Sequence, residues 1–124
     1  MTTRGIRGAI TIEHDDPFEV ISATKELLTA ILESNPKLKP EDIASALFTV
    51  TEDIYSVFPA KAAREIGWDK VPLMCMQEIP VPKSLPHCIR VLIHWNTDLP
   101  QTEINHVYRK EAEKLRPDLK EKRS

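Results

Sequence analysis

Three charged residues stand in apolar segments of this 124-residue chain. Glu78 and Arg90 lie within VPLMCMQEIPVPKSLPHCIRVLIHW (71–95), and Arg7 lies within RGIRGAITI (4–12). Buried charges are rare unless they are paired, because desolvating an unpaired charge costs several kcal/mol. Two arginines and a glutamate on predicted strands therefore indicate a pocket for a small polyanion. For Arg7, a solvent-exposed position on an edge strand is the alternative.

Four further side chains could complete such a pocket. Lys61 and Arg64 are three residues apart and share one face of a predicted helix, although such a pair can also be merely solvated. Cys75 has no histidine near it in sequence to activate it, so a structural or hydrogen-bonding thiol is favoured over a nucleophile. Together with Tyr108, these groups can bind carboxylates, ethers and hydroxyls, but they offer no obvious proton-transfer pair. A reaction that needs only orientation and charge stabilisation would suit them.

Composition and missing motifs argue against several classes of protein. The net charge of −2 is unlike that of a nucleic-acid binder, and no apolar run approaches the roughly 18 residues of a membrane span. There are only three glycines and no nucleotide-binding fingerprint, and the four histidines lack metal-ligand spacing, so we expect no cofactor and no metal. His94 is interpreted as a core residue. Cys75 and Cys88 form no paired motif, which indicates reduced thiols in a cytoplasmic protein.

The hydrophobic pattern predicts one compact α/β (α+β) domain over residues 1–115 and a polar, mobile tail over 116–124. A long helix is expected to begin after Asp16, which can cap it in a box-like arrangement with Glu19, and to stop at Asn35. Two short helices are expected, at 59–67 and 100–108. Strands are predicted at 4–12, 45–51, 71–77 and 88–96, forming a mixed sheet flanked by the helices.

Alternation along the strands assigns side chains to faces. Arg7 shares its face with small residues, which leaves room for a ligand beside it. Arg90 stands on a strand whose two faces are both largely apolar, as in an interior strand of an oligomer or a closed sheet. Cys75 and Glu78 fall on opposite faces, so both can reach one ligand only if their strand bends or ends near Gln77.

Five blocks of the sequence, in their order and spacing, resemble the AroH-class chorismate mutases over nearly the whole chain. They are RGIRGAITIEHD, TEDIYSVFPAKAAREIGW, VPLMCMQEIPV, CIRVLIHWNTD and PQTEINHVYRKEAEKLRPDL. The resemblance implies rearrangement of chorismate to prephenate, the entry to phenylalanine and tyrosine synthesis. It also implies a homotrimer with a pseudo-α/β-barrel appearance and active sites in clefts between subunits.

The resemblance also implies roles for individual residues. Arg7 would bind a substrate carboxylate, with Tyr108 as its phenolic partner. Glu78 and Cys75 would contact the ring hydroxyl, and Arg90 would face the ether oxygen.

The remaining positions carried over from the family concern the edges of the cleft. Leu115 and Arg116 match the start of a C-terminal segment that closes over the site. Met74 departs from the family pattern, since a smaller polar residue can stand there, so only a main-chain contact is expected from it. A wall of the cleft that borders the neighbouring subunit would consist of Phe58, Lys61 and Arg64.

Two other functions remain open from the residues alone. A non-catalytic trimeric module that binds a small dicarboxylate would use the same arginines. A small imine or enamine hydrolase would instead need a positioned water and a pH-dependent acid or base. The basic tail could also be an interaction arm, although its neighbouring acidic residues favour simple solvation.

Overall fold

The computed structural model describes residues 2–115, so the predictions for the tail at 116–124 and for Arg116 fall outside the described residues. Five strands are present: β1 (Thr2–Thr11), β2 (Ile43–Val50), β3 (Leu73–Gln77), β4 (Cys88–Thr97) and β5 (Val107–Tyr108). The α-helices are α1 (Pro17–Ser34) and α2 (Ala60–Glu65). Short 3-10 turns cover Pro40–Asp42, Gln101–Glu103 and Lys110–Lys114.

The strands form one mixed sheet in the order β3-β2-β4-β1-β5. The central strand β4 runs antiparallel to both β2 and β1, whereas β3 and β5 pair in parallel at the two edges. The predicted α+β class and the interior position of the strand that carries Arg90 are thus confirmed. Within residues 2–115, no helix is both long and apolar enough to cross a membrane.

The main core lies between one face of the sheet and α1. Alternate residues of β1 and β4 point to this side, and the apolar stripe of the helix packs against them, so both sets of side chains are removed from water. Large, fully buried members from the two layers include Ile6, Ile10, Phe48, Ile89, Ile93, Trp95, Leu27, Leu28 and Ile31.

The N-terminus of α1 differs from the predicted capping box. Asp16 does cap the helix, since its carboxylate accepts the N–H groups of Phe18 and Glu19. The carboxylate of Glu19, however, accepts the N–H groups of Glu13 and His14 in the preceding loop instead of that of Asp16. The prediction of a capping box was therefore wrong, because the preceding loop brings nearer main-chain N–H donors to the Glu19 carboxylate.

The predicted helix at 100–108 was also wrong. Only Gln101–Glu103 forms a 3-10 turn, after which the chain extends and Val107 and Tyr108 pair in parallel with β1. Val107 and Tyr108 are both buried, but on a strand. A short apolar pattern fits either structure, and the unpaired outer edge of β1 favours the strand because it offers main-chain hydrogen bonds.

Candidate active site

The face of the sheet opposite α1 carries a row of paired residues centred on Arg90. On the central strand β4, Arg90 has Thr49 of β2 and Ala9 of β1 as its neighbours, and Ala9 in turn pairs with Tyr108 of β5. Paired residues of adjacent strands project to the same side. The small side chain of Ala9 therefore separates a guanidinium group from a phenol without filling the space above them.

Arg90 and Glu78 form an ion pair at the edge of this row. The Arg90 Nε atom lies 2.9 Å from Glu78 Oε2, and the two side chains are 27% and 16% exposed. The direction of the Nε–H bond is unfavourable, so this buried donor makes no hydrogen bond within the described residues despite the short distance. Arg90 thus has a buried Nε–H whose hydrogen-bonding capacity is not used by residues 2–115.

Glu78 stands one residue beyond the end of β3, as the prediction of a strand ending near Gln77 required. Its main-chain N–H donates to the carbonyl oxygen of Val50 over 2.8 Å, and its Oε2 atom accepts the Thr49 hydroxyl over 3.2 Å. Met76 pairs with Thr49 and Thr49 with Arg90, so alternation along the chain places the carboxylate of Glu78 on the face that carries Arg90.

Tyr108 lies in a second, smaller core on the same face of the sheet. This core contains Ala9, Cys88 and Ala112, with Leu85 and Leu115 packed against it. Tyr108 is only 1% exposed, and its hydroxyl has no hydrogen-bond partner within residues 2–115. Because buried polar groups are nearly always hydrogen-bonded, this phenol is a candidate for binding a ligand.

Cys88 lies two residues before Arg90 on β4, on the same face of the sheet, and is fully buried. Burial raises the pKa of its thiol from 9.0 to about 11, and the negative charges of Glu78 and Asp53 act in the same direction, while Arg90 opposes them. The thiol is therefore neutral at physiological pH, so it provides a small apolar support for the site instead of a nucleophile.

Arg7 projects from β1 on this same face, two residues from Ala9, and is partly exposed. Its main-chain N–H donates to the Nδ1 atom of His106 over 2.9 Å. The predicted site residues near the centre of this open face are thus Arg7, Glu78, Arg90, Tyr108 and Leu115. Met74 projects to the same face from the edge strand β3, in the row that runs through Leu47 and Leu92 to Arg7.

Cys75 is not brought to this group. It pairs with Phe48, which pairs with Val91, and this row faces the helices. Burial raises the pKa of the Cys75 thiol, while a hydrogen bond from the Ala60 N–H and the charge of Arg64 partly oppose the rise. The thiol thus lies beside α2, on the face opposite Glu78.

The other predicted residues lie near Cys75, at the β3 edge. Lys61 and Arg64 are exposed on α2, Phe58 is 70% exposed just before it, and Met74 is 58% exposed on β3. One protomer therefore divides the predicted residues between its open sheet face and its β3 edge.

Three residues at or next to the site were not predicted as site residues: Thr49, Cys88 and His106. Their contacts depend on how strands pair, which no local pattern in the sequence reveals. Within residues 2–115, no group of three or more potential metal-binding side chains converges.

The chain matches known proteins over nearly its whole length. The family model described as chorismate mutase type I matches residues 3–119. The chain is 57% identical over 116 residues to "Chorismate mutase AroH" of Thermus thermophilus, covering 94% of this chain and 95% of that protein. It is 50% identical over 120 residues to the protein of the same name from Bacillus subtilis (strain 168), covering 96% and 94% respectively.

A solved structure shares the fold. "Chorismate mutase from Clostridium thermocellum Cth-682" superposes with a TM-score of 0.85 at 47% sequence identity, covering 88% of this chain and 96% of that one. A family model that spans nearly the whole chain and relatives of this similarity together establish that the chain belongs to the chorismate mutase type I family.

Proposed function

We propose that this protein catalyses the rearrangement of chorismate to prephenate on the open face of its sheet. The observation that carries the proposal is the pairing of Arg90 and Glu78 beside the unpartnered phenol of Tyr108. These groups can bind an ether oxygen, a hydroxyl and a carboxylate, which are the polar groups of chorismate. The family and both relatives support the same reaction.

The reaction is a concerted [3,3] shift in which one C–O bond breaks while one C–C bond forms. No nucleophile and no general base is required, which agrees with a neutral Cys88 thiol. The first task of the site is to hold the flexible dicarboxylate in its compact diaxial form. Arg7 and Tyr108 perform this by binding a carboxylate, and Glu78 by accepting the ring hydroxyl. Such orientation removes a share of the entropic barrier.

The second task is electrostatic. As the C–O bond lengthens, negative charge develops on the ether oxygen, and the guanidinium group of Arg90 faces it. Arginine remains protonated at any relevant pH, and its fixed position means that little reorganisation is needed during the reaction. The Nε–H of Arg90, which has no hydrogen bond within residues 2–115, supports this assignment.

The activity is tested by following the loss of chorismate absorbance with purified protein. Arg90→Ala should lower kcat by about 10²–10³-fold or more, as expected for removal of a donor to a developing oxyanion. Cys75→Ala should lower kcat much less than Arg90→Ala does. Near-full kcat in Arg90→Ala would contradict the mechanism, and no turnover by the unchanged protein would favour a module that only binds dicarboxylates. A flat rate across neutral pH separates this reaction from acid–base hydrolysis.

We further propose that the protein acts as a homotrimer, in which the β3 edge of one subunit forms a wall of the active-site cleft of the next subunit. Phe58, Met74 and Cys75 lie at that edge, and the exposed apolar side chains there favour burial against another subunit. Lys61 and Arg64 would add positive charge to the neighbouring cleft.

Mixing two inactive variants tests this arrangement. Arg90→Ala and Arg64→Ala each impair every site of their own trimers. If the two residues come from different subunits, subunit exchange in an equal mixture restores intact residues at roughly a quarter of the sites. A mixture of Arg90→Ala and Glu78→Ala is the control, because these two residues come from one protomer. No recovery in the first mixture, despite exchange, would contradict the shared cleft.

A cytoplasmic location also belongs to the proposal. Both cysteines within residues 2–115 are free thiols, which suits a reducing compartment. Fractionation of cells that produce the protein would test it.

A further inference from the structure

Thr49 occupies a position beside the site that none of the proposed roles uses. It lies near the end of β2, and its Cα atom pairs with that of Arg90 on the central strand. The two side chains therefore project to the same face of the sheet. Thr49 is thus the direct neighbour of Arg90 on one side, as Ala9 is on the other.

The hydroxyl of Thr49 makes a contact that determines how Glu78 is presented. It donates to Glu78 Oε2 over 3.2 Å, and the Arg90 Nε atom lies 2.9 Å from the same oxygen. The main chain of Glu78 is anchored separately, by its N–H to the carbonyl oxygen of Val50. The second carboxylate oxygen, Oε1, is involved in neither side-chain contact.

We propose that Thr49 is a positioning residue. Its hydroxyl keeps Glu78 Oε2 turned toward Thr49 and Arg90, so that Oε1 can accept a hydrogen bond from the substrate hydroxyl. The inference rests on the role proposed above for Glu78. Without the Thr49 hydroxyl, the carboxylate is free to rotate into a two-pronged pair with Arg90, a favourable geometry for guanidinium and carboxylate. In that closed pair, the Glu78 oxygen that would accept from the substrate and the Arg90 N–H groups that would donate to it are both occupied.

The expected consequence is weaker binding without a change in the chemical step. Substrate must break the closed pair before it binds, and this cost is the same in the ground state and the transition state. Loss of a single hydrogen bond corresponds to a change of about two- to tenfold in a binding constant. Thr49→Val, which keeps the shape and removes the hydroxyl, should therefore raise KM about two- to tenfold and change kcat less.

Two variants make this test specific. Thr49→Ser retains the hydroxyl and should restore KM to nearly that of the unchanged protein. Thr3→Val is the matched control, because the Thr3 hydroxyl also donates across to a neighbouring strand, to the side-chain oxygen of Asn96, but on the exposed end of β1. It should leave KM and kcat unchanged. An unchanged KM in folded Thr49→Val, or a Thr49→Ser variant as impaired as Thr49→Val, would overturn the proposal.

The double variant separates this inference from the proposed role of Glu78. If Thr49 acts through Glu78, Thr49→Val should add no further effect to Glu78→Ala, because interacting residues are non-additive. If Glu78→Ala impairs activity but the two changes multiply, only the inference about Thr49 fails. If Glu78→Ala has unchanged kinetics, the proposed role of Glu78 fails as well.

Discussion

The imidazole of His106 accepts the main-chain N–H of Arg7 through its Nδ1 atom, over 2.9 Å. A side chain here takes the place of a strand carbonyl, because β5 begins only at Val107 and pairs with Gly8 and Ala9. Gln101 has the same role at Gly5, where its carboxamide both donates to and accepts from the main chain. Side chains therefore complete the outer edge of β1 at Gly5 and at Arg7.

We therefore expect His106 to control the position of Arg7. His106→Ala would leave the Arg7 N–H without this acceptor and loosen the strand, raising KM for chorismate about three- to tenfold. His106→Asn offers an oxygen close to the former Nδ1 position and should recover most of the loss. Steady-state kinetics of both variants checks this. Equal impairment of the two variants would show that the acceptor is not what matters.

Tyr108→Phe should separate stability from activity. The buried hydroxyl has no partner within residues 2–115, so its removal should leave the free energy of unfolding unchanged or raise it by about 1 kcal/mol. KM for chorismate should nevertheless rise, by about tenfold for a lost bond to a carboxylate. Urea denaturation and steady-state kinetics measure the two effects. Tyr55→Phe, on a side chain that is 83% exposed, is the control and should change neither. A clear loss of stability in Tyr108→Phe would point to a structural hydroxyl.

Substitution by alanine should destabilise the fold at Gly8 but not at Gly5. A Cβ atom at Gly8 would lie 2.8 Å from Ile31 Cδ1 and 3.3 Å from the Val107 carbonyl oxygen, so the fully buried Ile31 side chain would have to move within the core. Gly8→Ala should therefore destabilise the fold by about 1–3 kcal/mol. At Gly5 the nearest atom is Leu92 Cδ1 at an ordinary 3.6 Å, and Gly5→Ala should be neutral or slightly stabilising. Thermal unfolding of the pair checks the difference, which similar melting temperatures would contradict.

Cys88 should weaken the fold at alkaline pH. Its folded pKa of about 11 lies above its ordinary value of 9.0, so the unfolded chain releases the proton first. The corresponding stability is complete below pH 9 and is lost as pH rises toward 11, by an amount on the order of 2–3 kcal/mol.

Denaturant titrations from about pH 8 to about pH 11 measure this loss. Cys88→Ala should be less stable at the lower pH because it leaves a cavity, but its stability should fall less steeply with pH. Cys75→Ala is the comparison and should change the slope with pH less, since the Cys75 thiol is only half-buried, although burial raises its pKa in the same direction. Parallel curves for Cys88→Ala and the unchanged protein would contradict the expectation.

Much of this protein was predictable from its sequence, because the decisive signals were local. Within β1 and within β4, the period of two correctly separated the arginine of each strand from its isoleucines. The helical stripe after Asp16 and the stop at Asn35 were also correct. Each of these depends on residues close together along the chain.

The tertiary structure decided the features that depend on pairing between distant segments. It made 107–108 a strand where a helix was predicted, and it joined Thr49 to Glu78. Strand order and register bring together residues that are tens of positions apart, and shifting one strand by a single residue would reverse every face. Periodicity therefore indicated which residues share a face, while only the assembled sheet determined which of them touch.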